Sequence, residues 1–139
     1  MVEFNYQTDF DLGEEQRYAV WLDSIASSEF RTLGDLSYVF CSDEFLLDLN
    51  LKYLNHDTLT DIITFDYCDE DLIHGEIYIS IDRVKDNAVD YGVDMLTELH
   101  RVMSHGLLHL CGYGDKSTEQ KAAMRLKEEE KMKMFHVKQ

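Results

Sequence analysis

From Met95 to Asp115 the chain reads MLTELHRVMSHGLLHLCGYGD. The first seventeen residues, Met95 to Cys111, are too long and too rich in Leu, Met and His for a strand. They predict a helix whose apolar residues fall nearly all round, which is the pattern of a buried central helix. Gly112 and Gly114 end it, because glycine enters the left-handed backbone region without penalty. His105 and His109 are four apart and project from one face of that helix, about one turn from each other. Two imidazoles so placed can grip one ion. The glycine turn lets the chain double back and bring Asp115 to the same point. Two imidazoles and a carboxylate leave one tetrahedral position open for water, as in a catalytic rather than a structural zinc site. The predicted metal ligands are therefore His105, His109 and Asp115, and the predicted cofactor is one Zn2+ ion. The blander readings are a pair of satisfied core histidines, and for Asp115 a plain turn residue ahead of Ser117.

Around that segment the pattern alternates strands and helices. Val2 to Tyr6 alternates apolar and polar residues, as a half-buried strand does. Gly13 to Ser28 carries Tyr18, Trp21, Leu22 and Ile25 at helical spacing. Asp35 to Cys41 predicts a second strand, and Ser42 caps a helix running to about Leu54. Thr60 to Tyr67 and Gly75 to Ile81 predict two more strands. The acidic stretch Cys68 to His74 connects them as a hairpin. Asp82 to Tyr91 predicts a short helix begun by an Asp cap and ended near Gly92. Ser117 and Gln120 have capping-box spacing for a last helix, to about Met134. The expected fold is a single α/β (α+β) domain over residues 1–139. It has a mixed sheet of about four strands covered by about five helices, with the metal site on a central helix.

Composition narrows the classes. The 139 residues suit one domain, and 45% apolar content suffices for a core. No run approaches the roughly 20 apolar residues that span a bilayer. The N-terminal M-V-E-F-N-Y lacks the basic start and apolar run of a secretory signal. A cytoplasmic protein without membrane contact is expected. Three cysteines, Cys41, Cys68 and Cys111, form no C-x-x-C pair and read as small buried apolar residues. Cys111 lies nearly opposite His109 on the helix and is not a ligand candidate. The formal net charge of −15 repels polyanions at long range. On composition alone it speaks against nucleic-acid binding, unless cations cluster locally or a metal supplies the positive charge.

Other ionisable groups flank the histidines. Glu98, two turns before His105, reads either as a carboxylate orienting a ligand imidazole or, by preference, as a solvated first-turn glutamate. Arg101 borders the site and attracts phosphate, or forms a surface salt bridge. His100 faces away from the ligand stripe, and His56, His74 and His136 have no partners in the sequence.

The spacing H-x-x-x-H-x-x-G-x-x-D is similar to that of metzincin zinc proteases, but Gly106 stands where those carry their glutamate base. The longer string H-G-L-L-H-L-C-G-Y-G-D resembles the signature H-G-x-L-H-L-x-G-Y-D-H of the YbeY endoribonuclease family. Asn50 to Tyr67 resembles that family's N-x-x-Y-R-x-x-D-x-P-T-D-V-L-S-F segment, and Gly75 to Ala88 its G-D-I-x-I-S segment. The resemblance implies a single-strand-specific endoribonuclease that matures the 3′ end of small-subunit ribosomal RNA and serves ribosome quality control. It implies ribosomal RNA, the small subunit and assembly proteins as partners, and no DNA. His105 and His109 match the family's first two ligands, and Asp115 replaces its third histidine. Leu54 replaces the arginine after the tyrosine, and Leu59 the proline. Thr60 and Asp61 match the family's T-D. The catalytic groups beyond a metal-bound water are not fixed by the sequence. Asp61 and Arg101 are the candidates, and Arg83, Lys85, Arg101 and Lys116 are candidates for the phosphate path. The alternatives are a non-catalytic, metal-stabilised ribosome-assembly factor and, disfavoured by Gly106, a metallopeptidase.

Overall fold

A computed structural model of the chain describes residues 1–54 and 60–137. His56 and Leu59 lie outside the described residues, as does the side chain of His136. Four strands, β1 (Val2–Tyr6), β2 (Thr32–Cys41), β3 (Ile62–Asp66) and β4 (Leu72–Ser80), form one sheet in the order β1-β2-β4-β3. β1 and β4 both run parallel to β2, and β3 closes the edge antiparallel to β4. The α-helices among the described residues are α1 (Glu15–Ser28), α2 (Asp43–Leu49), α3 (Ile81–Tyr91), α4 (Met95–Leu110) and α5 (Thr118–Val137). The element order and the mixed sheet match the sequence expectation.

Strand alternation sorts the core. Tyr38 and Phe40 of β2 and Ile77 and Ile79 of β4 point to one face. There they meet Trp21, Leu22 and Ile25 of α1 and Leu99, Val102, Met103 and Leu107 of α4, all fully or almost fully buried. Each such aliphatic side chain contributes about 1.5–3 kcal/mol by leaving water. Cys41 and Ile63 point to the other face, where Leu46 of α2 covers them, with Leu49, Phe65 and Tyr78 packed around. One face of the sheet therefore carries the main core, and the other, among the described residues, a smaller cluster.

Several boundaries differ from the sequence reading. β2 begins at Thr32 and β4 at Leu72, earlier than expected, because the two strands pair from Thr32 opposite Leu72 onward across a bulge between Leu33 and Leu36. That shortens the hairpin connection. β3 is shorter than Thr60–Tyr67. The helix after Ser42 turns from α to π geometry at Asn50–Leu54, although Ser42 does cap it by accepting from the Phe45 amide at 3.1 Å. α3 is capped by Ser80, not Asp82: the Ser80 hydroxyl accepts from the Arg83 amide at 3.1 Å. Ser80 is the last residue of β4, so strand and helix share it.

Candidate metal centre

α4 is buried nearly all round, as its composition predicts. It starts on Asp94, whose carboxylate accepts from the Thr97 amide at 2.9 Å. It packs tightly against the sheet at Gly106. A β-carbon there would sit 2.8 Å from Ile62 Cδ1 and 3.0 Å from Ile77 Cγ2. Glycine thus brings the helix axis close to β3 and β4, and the protease glutamate has no room at this position.

The end of α4 is a Schellman turn. Gly112 has φ 105°. The Gly112 amide donates to the His109 carbonyl at 3.0 Å and the Tyr113 amide to the Leu108 carbonyl at 3.1 Å. Arg31 donates to the Cys111 carbonyl at 2.9 Å. The returning chain is pinned by a capping box. The Ser117 hydroxyl accepts from the Gln120 amide at 3.0 Å, and Gln120 Oε1 accepts from the Ser117 and Lys116 amides at 3.2 and 3.0 Å. Asp115 hangs between these two fixed points.

The result is a convergence. His105 Nε2 and His109 Nε2 each lie 3.3 Å from Asp115 Oδ2. One donor atom from each of the three residues falls within 4.8 Å of the others, a set able to hold a metal ion. The two remaining ring nitrogens are occupied. His105 Nδ1 is 2.5 Å from Glu128 Oε2, and His109 Nδ1 is 2.8 Å from the Tyr113 carbonyl. Both partners are acceptors, so each Nδ1 carries a proton. In the neutral ring the Nε2 lone pair then faces Asp115, placing three acceptors around one point. That arrangement calls for a cation. Tetrahedral ligands about 2.0–2.1 Å from zinc stand about 3.3 Å apart, the separation found between each imidazole and Asp115. The residues present therefore fit a zinc ion.

Behind His105 lies a buried charge network. Glu128, on α5, and Glu98 are each almost fully buried. Arg101 binds Glu98 with two hydrogen bonds, at 2.9 and 2.7 Å, and reaches Glu128 Oε1 at 3.3 Å. Asp61 Oδ2 is 3.7 Å from the same guanidinium. Burial acts to lower the Arg101 pKa, but Glu98, Glu128 and Asp61 outweigh it and raise it. Burial raises the Asp61 carboxyl, against the opposing pull of Arg101 and His105.

Three expectations are corrected here. Glu98 is not a solvated glutamate, and it does not touch the imidazoles: it holds Arg101. Arg101 is not a free phosphate-attracting cation, since three carboxylates surround it. Arg83 is drawn off by Asp43 at 3.2 Å and by Asp86. Lys85 and Lys116 are exposed. Leu54, exposed at 44%, presents apolar surface to solvent. His100 faces away as expected, its Nε2 2.9 Å from the Tyr18 hydroxyl in the core. His74 accepts from the Asp35 amide at 2.9 Å, far from the site in sequence and on β4. Burial pushes the Cys111 thiol up to about 11, the mark of an inert core cysteine. The sequence reading missed Glu128, which sits 23 residues beyond His105 on another helix.

Comparison with known proteins agrees with the sequence resemblance. The family described as Endoribonuclease YbeY matches residues 4–136. An Endoribonuclease YbeY of Flavobacterium psychrophilum is 55% identical over the whole chain and 99% of its own length. One of Flavobacterium johnsoniae is 51% identical over the whole of both chains. A Thermotoga maritima protein solved in solution superposes with a TM-score of 0.68 at 25% identity, covering 99% of this chain and 91% of its own. With a family match over nearly its whole length and relatives above half identity, the chain belongs to the YbeY endoribonuclease family.

Proposed function

We propose that the protein is a zinc-dependent, single-strand-specific endoribonuclease that trims the 3′ end of small-subunit ribosomal RNA and acts in ribosome quality control in the cytoplasm. The carrying observation is the convergence of His105 Nε2, His109 Nε2 and Asp115 Oδ2, with both Nδ1 atoms already committed to acceptors. The relatives' name makes RNA their substrate, against the expectation drawn from a net charge of −15.

A zinc ion at this point would supply a Lewis acid for phosphate oxygens and lower the pKa of a coordinated water to about 7. The chain's own residues do the rest. Glu128 and the Tyr113 carbonyl fix the imidazole tautomers and planes. Asp61, whose carboxyl burial raises above its ordinary value against the pull of Arg101 and His105, is the candidate proton carrier near the site. Arg101 sets the positions of Asp61 and Glu128, since its charge is already matched by carboxylates. Exposed Lys116, next to Asp115 in sequence, is the candidate cation for meeting phosphate.

A second reading has its own support. With Leu54 in the place of the family arginine and Arg101 neutralised, the site has few free cations. A non-catalytic assembly factor stabilised by its metal would need none.

The test uses protein purified without a histidine tag. Bound metal is measured, and cleavage of single-stranded ribosomal RNA is compared with duplex, beside His109→Ala and Asp115→Ala. Zinc near one equivalent and cleavage lost in both variants are expected. Metal-free wild-type protein after zinc reconstitution would overturn the site. Metal with no cleavage, or cleavage that survives in His109→Ala, would favour the assembly-factor reading.

A further inference from the structure

The sheet face turned away from α4 carries a groove with its own chemistry. Among the described residues, α2 and the π turn cover one corner of that face, above Cys41 and Ile63. Beside them is a cleft of about 310 Å³ lined by Leu49, Tyr53, Phe65, Tyr67, Glu76 and Tyr78. A second hollow, of about 380 Å³, runs on across the sheet past Ser37, Glu3 and Asp35 to Met1. Tyr67 and Glu76 line both, so the two hollows adjoin and together make up a trough. Strand register explains it: Glu3, Ser37, Glu76 and Phe65 are successive partners across β1, β2, β4 and β3, and all four point to the same face.

The floor is aromatic at one end and acidic along its length. Phe65 and Tyr78 meet edge to face at 5.8 Å, and Tyr53 meets Phe65 the same way at 6.0 Å. Tyr53 and Tyr67 each leave 59% of their surface in water. Glu76 accepts from the Tyr78 hydroxyl at 3.3 Å and lines both hollows. Among the described residues no Lys or Arg lines either hollow, and the Met1 ammonium there lies 3.7 Å from Asp35 Oδ1. Exposed tyrosines attract cations through their ring faces. Lys52 already does so at the edge, its Nζ 5.5 Å from the Tyr53 ring centroid.

We infer that this trough is a docking site for an extended Lys- and Arg-rich segment of a partner protein. Charge complementarity selects the occupant. A polyanion is repelled by Glu3, Asp35 and Glu76 and by the net charge of −15, while a polycation is steered in. Apolar stems of Lys and Arg lie along the rings and their heads reach the carboxylates. Because Ile62 and Ile77 face α4 and their neighbours Phe65 and Glu76 face the trough, docking and the histidine site occupy opposite faces of one sheet.

The experiment is fluorescence anisotropy with a labelled Lys/Arg-rich peptide, repeated with a Glu-rich peptide and with a single-stranded RNA oligonucleotide. Variants are Glu76→Lys, Tyr67→Ala and, as a charge-matched control elsewhere, Asp90→Lys on the exposed side of α3. Circular dichroism verifies folding. The Lys/Arg-rich peptide is expected to bind in a salt-sensitive way, with affinity reduced about tenfold in Glu76→Lys and in Tyr67→Ala. It should bind Asp90→Lys like wild type, and RNA cleavage should be unchanged in Tyr67→Ala. Equal weakening by Asp90→Lys would reduce the binding to net charge and overturn the site. Binding of the RNA oligonucleotide that is lost in Tyr67→Ala would overturn the assignment to a protein partner.

Discussion

Glu128 Oε2 stands 2.5 Å from His105 Nδ1 and ties the last helix to the candidate metal centre. The carboxylate is buried and shares Arg101 with Glu98, so its charge is balanced and its position fixed. A carboxylate behind an imidazole raises the basicity of the outward nitrogen and holds the ring plane. Glu128→Gln keeps the shape and an acceptor oxygen but loses the charge. Zinc affinity should fall by about 10–100-fold, measured by competition with a chromophoric chelator. An unchanged affinity would show that Glu128 serves packing alone.

Asp115 occupies the place of a histidine in the resembled family signature. Its Oδ2 is equidistant from the two imidazole nitrogens, so the turn after Gly112 delivers whatever side chain stands there to the same point. Asp115→His should therefore retain zinc, whereas Asp115→Ala should lose most of it. Metal content after dialysis against a weak chelator distinguishes them. Equal retention in all three proteins would remove position 115 from the ligand set.

Local chemistry made much of this legible in the sequence. The His105–His109 spacing, the Gly112 stop, and the Ser117–Gln120 box each act within one or two turns, and each is found as read. What was hidden depends on distant packing. Glu98 looks like any first-turn glutamate, and only the arrival of α5 buries it. Glu128 lies in a highly charged helix where nothing local marks it. The cap of α3 was misassigned because both Ser80 and Asp82 are good caps, and the pairing of β4 with β2 up to Cys41 and Ser80 decided between them. The charge of −15 gave no hint of the RNA in the relatives' name, because a sum of charges carries no positions.

Asp61 gives a pH signature in the metal-free protein. Burial raises its folded pKa above the ordinary 3.8, so the folded state binds this proton more tightly than the unfolded state. Below pH 3.8 both states are protonated and the group contributes nothing to the pH slope. As pH rises towards and through the folded value, stability contributed by the protonated form is lost. Asp61→Asn removes that slope. The stability of the variant relative to wild type should rise with pH across this window, read from urea unfolding at several pH values. A difference that is flat or falls with pH would contradict the burial of an ionising carboxylate here.

Gly106→Ala sets two effects of opposite sign against each other. Alanine favours a helix interior over glycine by about 1 kcal/mol. Against this, the added carbon meets Ile62 Cδ1 at 2.8 Å and Ile77 Cγ2 at 3.0 Å, both on the sheet floor, with Ile77 fully buried. Overpacking of this kind costs about 1–3 kcal/mol. Ile62 is only half-buried and can yield, but Ile77 is locked between α4 and the core, so strain should outweigh propensity and the variant should be less stable by about 1 kcal/mol. Urea unfolding measures this directly. His105, His109 and Asp115 all lie on α4 or the turn that follows it and would move together, so zinc affinity should change less than stability. If Gly106→Ala proves as stable as wild type, the contact with Ile77 is not what selects glycine after the first histidine.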